Sequence, residues 1–299
     1  MFPPLQKTRM LTPSPAELRW DALRSILVFF AVYGLSAFGR SLVSNAVYKL
    51  WPQSNATVRL LISLFATLAT VAAVLAWCLL VERRRPLGLG FVRRGALTDY
   101  AIGVAGGVAL FAAAVGLCSL FGFAEVSLTT AAPSWWLLSL FLVGFLIQGL
   151  SEELLCRSLL MVSLSRSWPL WLCTLVNAAA FAFLHLFNPG ISLLALLNIF
   201  LFGCLASILM LRRGSVWMVA ALHSLWNFAQ GNLFGLPVSG ILGSPAPLST
   251  TVSADTTLAR LIGGGTFGIE GGLSATMVML VGIVIALCLP TKKSETSAP

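Results

Sequence analysis

Apolar residues run along this chain in long blocks without the polar alternation of a half-buried strand. Each block is closed by Gly, Pro or a short basic cluster. A helix crossing a hydrocarbon core needs ~20 mostly apolar residues, and blocks of that kind fall at 24–48, 57–81, 97–121, 135–163, 168–187, 191–211, 215–232 and 272–290. Between them stand the breakers Trp51-Pro52, Arg85-Pro86, Ala132-Pro133, Asn188-Pro189-Gly190 and Arg213-Gly214. The pattern predicts an all-α fold, a polytopic transmembrane helical bundle of about eight spans. A polar lead (1–23) precedes an N-terminal group of helices (24–134) and a second group (135–235). A Gly-, Ser-, Thr- and Pro-rich stretch (236–271) reads as a flexible outer loop, and a last span with a short basic tail (272–299) closes the chain. The 135–163 block is long for one span and carries Gly144 and Gly149, so a tilt or break is expected in it. The lead lacks the apolar core of a cleavable signal peptide, which leaves targeting to the first membrane helix.

Composition narrows the class. Apolar residues make up 58% and charged residues 10% of the chain, against roughly 45–50% and 25% in a soluble domain. Ten acidic and nineteen basic residues cannot cover a soluble surface of 299 residues. The net charge of +9 becomes informative once the cations are placed. Lys7, Arg9, Arg19 and Arg24 precede the first block, and Arg83, Arg84, Arg85, Arg93 and Arg94 follow the second. Arg166 follows the fourth, Arg212 and Arg213 the sixth, Lys292 and Lys293 the eighth. The alternate connections hold only Arg40, Lys49, Arg59 and Arg260. Cytoplasmic loops carry the excess of Lys and Arg, so both termini are expected in the cytoplasm and the protein in the plasma (inner) membrane of a bacterium. The basic excess then reads as topology and attraction to anionic membrane lipid, with no nucleic-acid partner. Six cysteines sit singly in apolar surroundings without metal or redox spacing.

Ionisable groups inside spans are costly and mark function by default. Here they gather in three motifs. In Glu152-Glu153-Leu-Leu-Cys-Arg157, Glu153 and Arg157 share a helix face in the favourable order for an ion pair, while Glu152 is turned about 100° away and stays available. Phe181-Ala-Phe-Leu-His185 ends the fifth block. His223-Ser-Leu-Trp-Asn227 places two polar side chains on one face of the seventh. The chain has two histidines, and both lie in apolar blocks. A lone His or Asn there can be an interhelical hydrogen bond worth ~0.6 kcal/mol, but three clusters on separate helices point to chemistry. A carboxylate and a histidine can deprotonate water for attack on an amide, and a second histidine with an amide donor can hold the oxyanion. The same Glu, His and His could instead bind Zn²⁺ with a position open for water. Ser239-Gly240 lies in the expected outer loop, away from the histidines, which disfavours serine chemistry. A proton relay in an ion-coupled transporter would also use buried Glu and His.

EExxxR, FxxxH and HxxxN in this order over successive spans resemble the CPBP family of intramembrane proteases, which takes in CAAX prenyl proteases and bacteriocin-processing enzymes and is also called the Abi domain. The resemblance covers about 145–235. It implies an endopeptidase in which Glu152, assisted by His185, activates water, with His223 and Asn227 as oxyanion donors and Glu153, Arg157 and Phe181 in support. The substrate would be a peptide or protein, lipidated in the CAAX branch. Members are commonly described as metalloproteases, which would make Glu152, His185 and His223 ligands of a Zn²⁺ cofactor; a metal-free glutamate mechanism has also been proposed for them. The family includes bacteriocin-immunity and scaffold proteins without protease activity, and the oligomeric state is not readable. One conflict stands: with these spans, Glu152 falls toward the cytoplasmic half and His185 toward the outer end of its helix.

Overall fold

In hydrocarbon the backbone finds partners only within its own ladder, so apolar blocks of this length fold as helices. Their starts are set by side-chain caps. Asp21, Asn55, Ser134 and Ser192 accept hydrogen bonds from the N–H groups of Arg24, Val58, Leu137 and Ala195. The computed structural model describes residues 5, 8–130, 134–241 and 245–291. Lys7, Lys292, Lys293 and the Ala132-Pro133 breaker lie outside the described residues. The helices are α1 (Ala22–Leu50), α2 (Ala56–Val81), α3 (Ala96–Leu120), α4 (Trp135–Leu164), α5 (Leu170–Phe183), α6 (Leu193–Arg213), α7 (Trp217–Phe228), α8 (Thr257–Gly263) and α9 (Leu273–Cys288).

Among the described residues five helices (α1, α2, α3, α4 and α6) are long and apolar enough to cross a membrane. This is an integral membrane protein. The other three expected spans are shorter helices. The 168–187 block yields α5, which stops at Phe183 because the chain turns tightly, with His185 N–H donating to Ala182 O and Asn188 N–H to His185 O. The 215–232 block yields α7, widened into π-type turns over Ala229–Leu233. The 272–290 block yields α9. At 1.5 Å per residue, α5 and α9 are about 21 and 24 Å long. The expected break in the fourth block is a widening rather than a gap: α4 is continuous, with π-helical turns over Leu154–Met161.

One end of the bundle collects the basic residues. Arg84 after α2 meets Glu82 at 2.5 Å and Glu17 at 3.5 Å, and donates to Ser158 O of α4 at 2.6 Å. Arg166 pairs with Glu17, Arg213 with Asp99 at the start of α3, and Arg212 donates to Leu287 O near the end of α9. These cations, counted in the sequence as topology marks and lipid attractors, are consumed by internal partners. The lead packs too: Met10 and Leu11 are buried, and Leu18 N–H donates to Glu82 O. The N-terminal ends of α1, α3, α5 and α7 therefore share this end with the C-terminal ends of α2, α4, α6 and α9.

Two further expectations are corrected. The fold is not purely helical: β1 (Ala124–Leu128) pairs antiparallel with β2 (Leu248–Val252), Ala124 opposite Val252. The stretch expected as a flexible loop holds β2, α8 and the buried Phe267, Ile269 and Glu270. Asn198 of α6 fastens it, its amide donating to Glu270 O and Gly272 O, both at 2.8 Å, and its carbonyl accepting from Thr276 at 2.7 Å.

The centre of the bundle is α7, buried from Met218 to Asn227. Its most extensive partner is α3, and α4 flanks it on another face. A side chain on Gly107 of α3 would come within 2.4 Å of Leu222 O, so only glycine admits this approach.

Candidate active site

Counted along each helix from the basic end, Glu152 lies about 18 Å in on α4 and His185 about 22 Å in, just past α5. The conflict read from the sequence disappears, because both helices are counted from the same end and α5 is short. Gly149 brings α4 against α7: a methyl group there would sit 2.3 Å from Ser224 Oγ and 2.9 Å from its backbone nitrogen. That approach puts the Glu152-Glu153 pair opposite His223.

The two carboxylates have different surroundings. Glu153 is fully buried; one oxygen meets Arg157 Nε at 3.2 Å and the other His223 Nδ1 at 2.8 Å. Arg157, also fully buried, donates to Gly203 O at 3.3 Å and lies 4.6 Å over the Phe181 ring. Phe181 thus does more than fill core, since the Arg157 guanidinium on its face is a cation–π contact and the His185 ring lies 4.7 Å from it. Glu152 is one-quarter exposed and turned toward a cavity of about 510 Å³. Its Oε1 accepts from Gln148 Nε2 at 2.7 Å, and its Oε2 has no protein hydrogen bond among the described residues. Gln148 also accepts from Asn227 Nδ2 at 3.0 Å, tying the carboxylate to the amide.

Hydrogen-bond chemistry fixes both imidazole tautomers. His185 Nδ1 lies 2.8 Å from Phe181 O; a carbonyl only accepts, so Nδ1 carries hydrogen and Nε2 is the basic nitrogen. His223 Nδ1 faces the Glu153 carboxylate and likewise carries hydrogen. Its Nε2 stands 3.6 Å from Glu152 Oε2. That gap leaves both atoms open to the cavity that they line.

Glu152, His185, His223 and Asn227 all line this cavity. Glu153 and Arg157 stand behind it as buttresses. Three contributors were missed in the sequence. Gln148 is one turn before Glu152, and its amide in an apolar run was the available signal. Glu270 reaches the cavity from the stretch expected as loop. The Ser239 backbone N–H donates to it, and burial lifts its pKa above the usual carboxylate value against that hydrogen bond. Arg40 of α1 also lines the cavity. Ser239 itself borders the same cavity as the histidines, contrary to the sequence expectation.

A Zn²⁺ ion would need three protein ligands converging at about 2.0–2.2 Å. Among the described residues no three His, Cys, Asp or Glu side chains are grouped so that they could hold a metal ion. Glu152, His185 and His223 make no three-ligand cage in this arrangement, and no step below runs through an ion. Cysteine contributes no such group: Cys78, Cys118, Cys156, Cys173 and Cys204 are buried and form no disulfide among the described residues, and Cys288 is exposed on α9.

Residues 134–229 match the family of type II CAAX prenyl endopeptidases, Rce1-like. This stretch is an Rce1-like domain. It runs from the start of α4 to the end of α7 and contains all three motifs. No curated protein matches the chain. The Rce1-like domain does not enclose the cavity alone, because Arg40, Glu270 and the α2 face lie outside residues 134–229.

Proposed function

We propose that the protein is an intramembrane endopeptidase that hydrolyses a peptide bond near a lipidated C-terminus, with Glu152 as general base. The observation that carries this reading is the convergence of Glu152, His185, His223 and Asn227 on one cavity inside an Rce1-like domain. Glu152 Oε2 and His185 Nε2 hold the attacking water, and Glu152 takes its proton as oxygen adds to the carbonyl carbon. The carbonyl oxygen becomes an oxyanion received by the His223 Nε2–H and the second hydrogen of the Asn227 amide. The C–N bond then breaks as the proton on Glu152 passes to the leaving nitrogen. Glu153 keeps His223 in the donor orientation, Arg157 offsets the Glu153 charge, and Gln148 aligns Glu152 with Asn227. CAAX substrates carry a prenylated cysteine near the C-terminus, which suits a site reached within the bilayer.

In this reading the bundle crosses the membrane eight times, with α5, α7 and α9 as short crossings and the basic end in the cytoplasm of a bacterial plasma membrane. The test is cleavage of S-farnesyl CAAX peptides by purified protein in nanodiscs. Wild type should cut, Glu152→Gln should lose activity to background, and Asn227→Ala should lose 10²–10³-fold in kcat, roughly the value of one oxyanion donor. Equal cleavage by wild type and Glu152→Gln would sink the assignment.

A further inference from the structure

Arg40, half-buried on α1, breaks the rule that the arginines of the basic end and of the site obey. Arg84, Arg157, Arg166 and Arg213 each pair with a carboxylate, and Arg212 donates to a backbone carbonyl. Arg40 has neither ion pair nor hydrogen bond among the described residues, and its one recorded contact is with the Tyr33 ring, 5.7 Å from the guanidinium carbon. It lies about 15 Å inside the Leu50 end of α1, deep enough that a charge is costly.

The direction of the side chain is informative. An arginine placed to relieve that cost would extend toward the near helix end and its polar headgroups. Tyr33 is two turns the other way, so Arg40 reaches toward the catalytic depth and into the cavity that holds Glu152 and His185. Arg40 is the one Lys or Arg side chain among the described residues lining that cavity; Glu152 and Glu270 are its acidic groups. A cavity of about 510 Å³ accommodates a small ligand or a short peptide segment. A guanidinium fork binds carboxylate bidentately, and the Ser41 and Ser44 hydroxyls on the same wall add donors.

We propose that Arg40 anchors the free C-terminal carboxylate of the bound peptide, so that the span from Arg40 to Glu152 selects which bond, counted from the chain end, is cut. This rests on the endopeptidase reading. An extended chain advances about 3.3–3.6 Å per residue, so a fixed anchor turns distance into residue count.

The test measures binding, which separates it from catalysis. Glu152→Gln protein in neutral-lipid nanodiscs is titrated with a fluorescent S-farnesyl peptide ending Cys-aliphatic-aliphatic-Met, as free acid and as C-terminal amide. The acid should bind about tenfold tighter, the scale of a charge-assisted bidentate contact. Adding Arg40→Gln should bring the ratio to about one, and Arg40→Lys should keep part of the preference. Equal binding of acid and amide by the Glu152→Gln protein overturns the proposal, and this comparison needs no Arg40 variant to fold. An acid preference surviving Arg40→Gln also overturns it. If wild type leaves the acid peptide uncut while Arg40-dependent binding is present, the anchor stands and the hydrolysis reading falls.

Discussion

Glu152 and Glu153 are adjacent and chemically identical, yet their surroundings predict opposite phenotypes. Glu153 has a fully buried side chain and faces a fully buried Arg157 at 3.2 Å and His223 at 2.8 Å. Neutralising it as Glu153→Gln leaves the guanidinium without a carboxylate, against Gly203 O and the Phe181 face. Breaking a buried pair by removing one charge costs roughly 3–5 kcal/mol. Glu152 is one-quarter exposed and keeps, among the described residues, a single hydrogen bond, to Gln148. Glu152→Gln forfeits at most about 1 kcal/mol. At roughly 2–4 °C per kcal/mol for a chain of this order of size, Glu153→Gln should melt on the order of 10 °C below wild type, and Glu152→Gln within a few degrees of it. Thermal unfolding in detergent, followed by tryptophan fluorescence, reads this directly. Trp226 is buried against Phe111 and Phe202 one turn from His223 and reports on the site. The double change Glu153→Gln with Arg157→Met should recover most of the loss, because removing both charges removes the stranded one. A Glu153→Gln protein as stable as wild type, or a larger loss in Glu152→Gln, would refute the division of roles.

Three further outcomes follow from the same geometry. Gly149→Ala should cost about 1–3 kcal/mol and lower activity, because the new methyl group meets Ser224 and pushes α7 off α4; unchanged melting and activity would contradict the contact. Burial raises the Glu270 pKa above the usual carboxylate value. A carboxyl of this kind keeps its proton longer in the folded than in the unfolded chain, so its contribution is complete below the unfolded value of about 4.3 and is lost as pH rises through the folded one. Glu270→Gln should flatten that stretch of the stability profile, and parallel profiles would show that Glu270 does not titrate there. Chelator should leave peptide cleavage intact, since the described carboxylates and imidazoles form no three-ligand cage; loss of activity on chelation, restored by Zn²⁺, would overturn this.

The helices and the three motifs were legible because a bilayer leaves few explanations for polar residues. Glu152, both histidines and Asn227 stand out against apolar runs, and their common cavity follows from a helix order the breakers already marked. What was hidden depended on tertiary contact. No periodicity announces that Leu170–Phe183 stops short, yet that shortness lets His185 reach the depth of Glu152. The Gly- and Ser-rich stretch before α9 looked mobile because its fastening comes from Asn198 on another helix. Arg84 and Arg166 looked like topology marks because Glu17, their partner, is remote in sequence. Arg40 was placed with the outer-loop cations, and only the direction of its side chain separates an interfacial charge from one aimed at the site.

The central claim is that Glu152 drives water onto a peptide carbonyl inside the bilayer. Its most direct test is digestion of an S-farnesyl CAAX peptide in H₂¹⁸O, read by mass spectrometry. Wild type should produce one new C-terminus carrying a single ¹⁸O, and Glu152→Gln should produce none. Uncut peptide with wild type, or the same labelled product from Glu152→Gln, would contradict it.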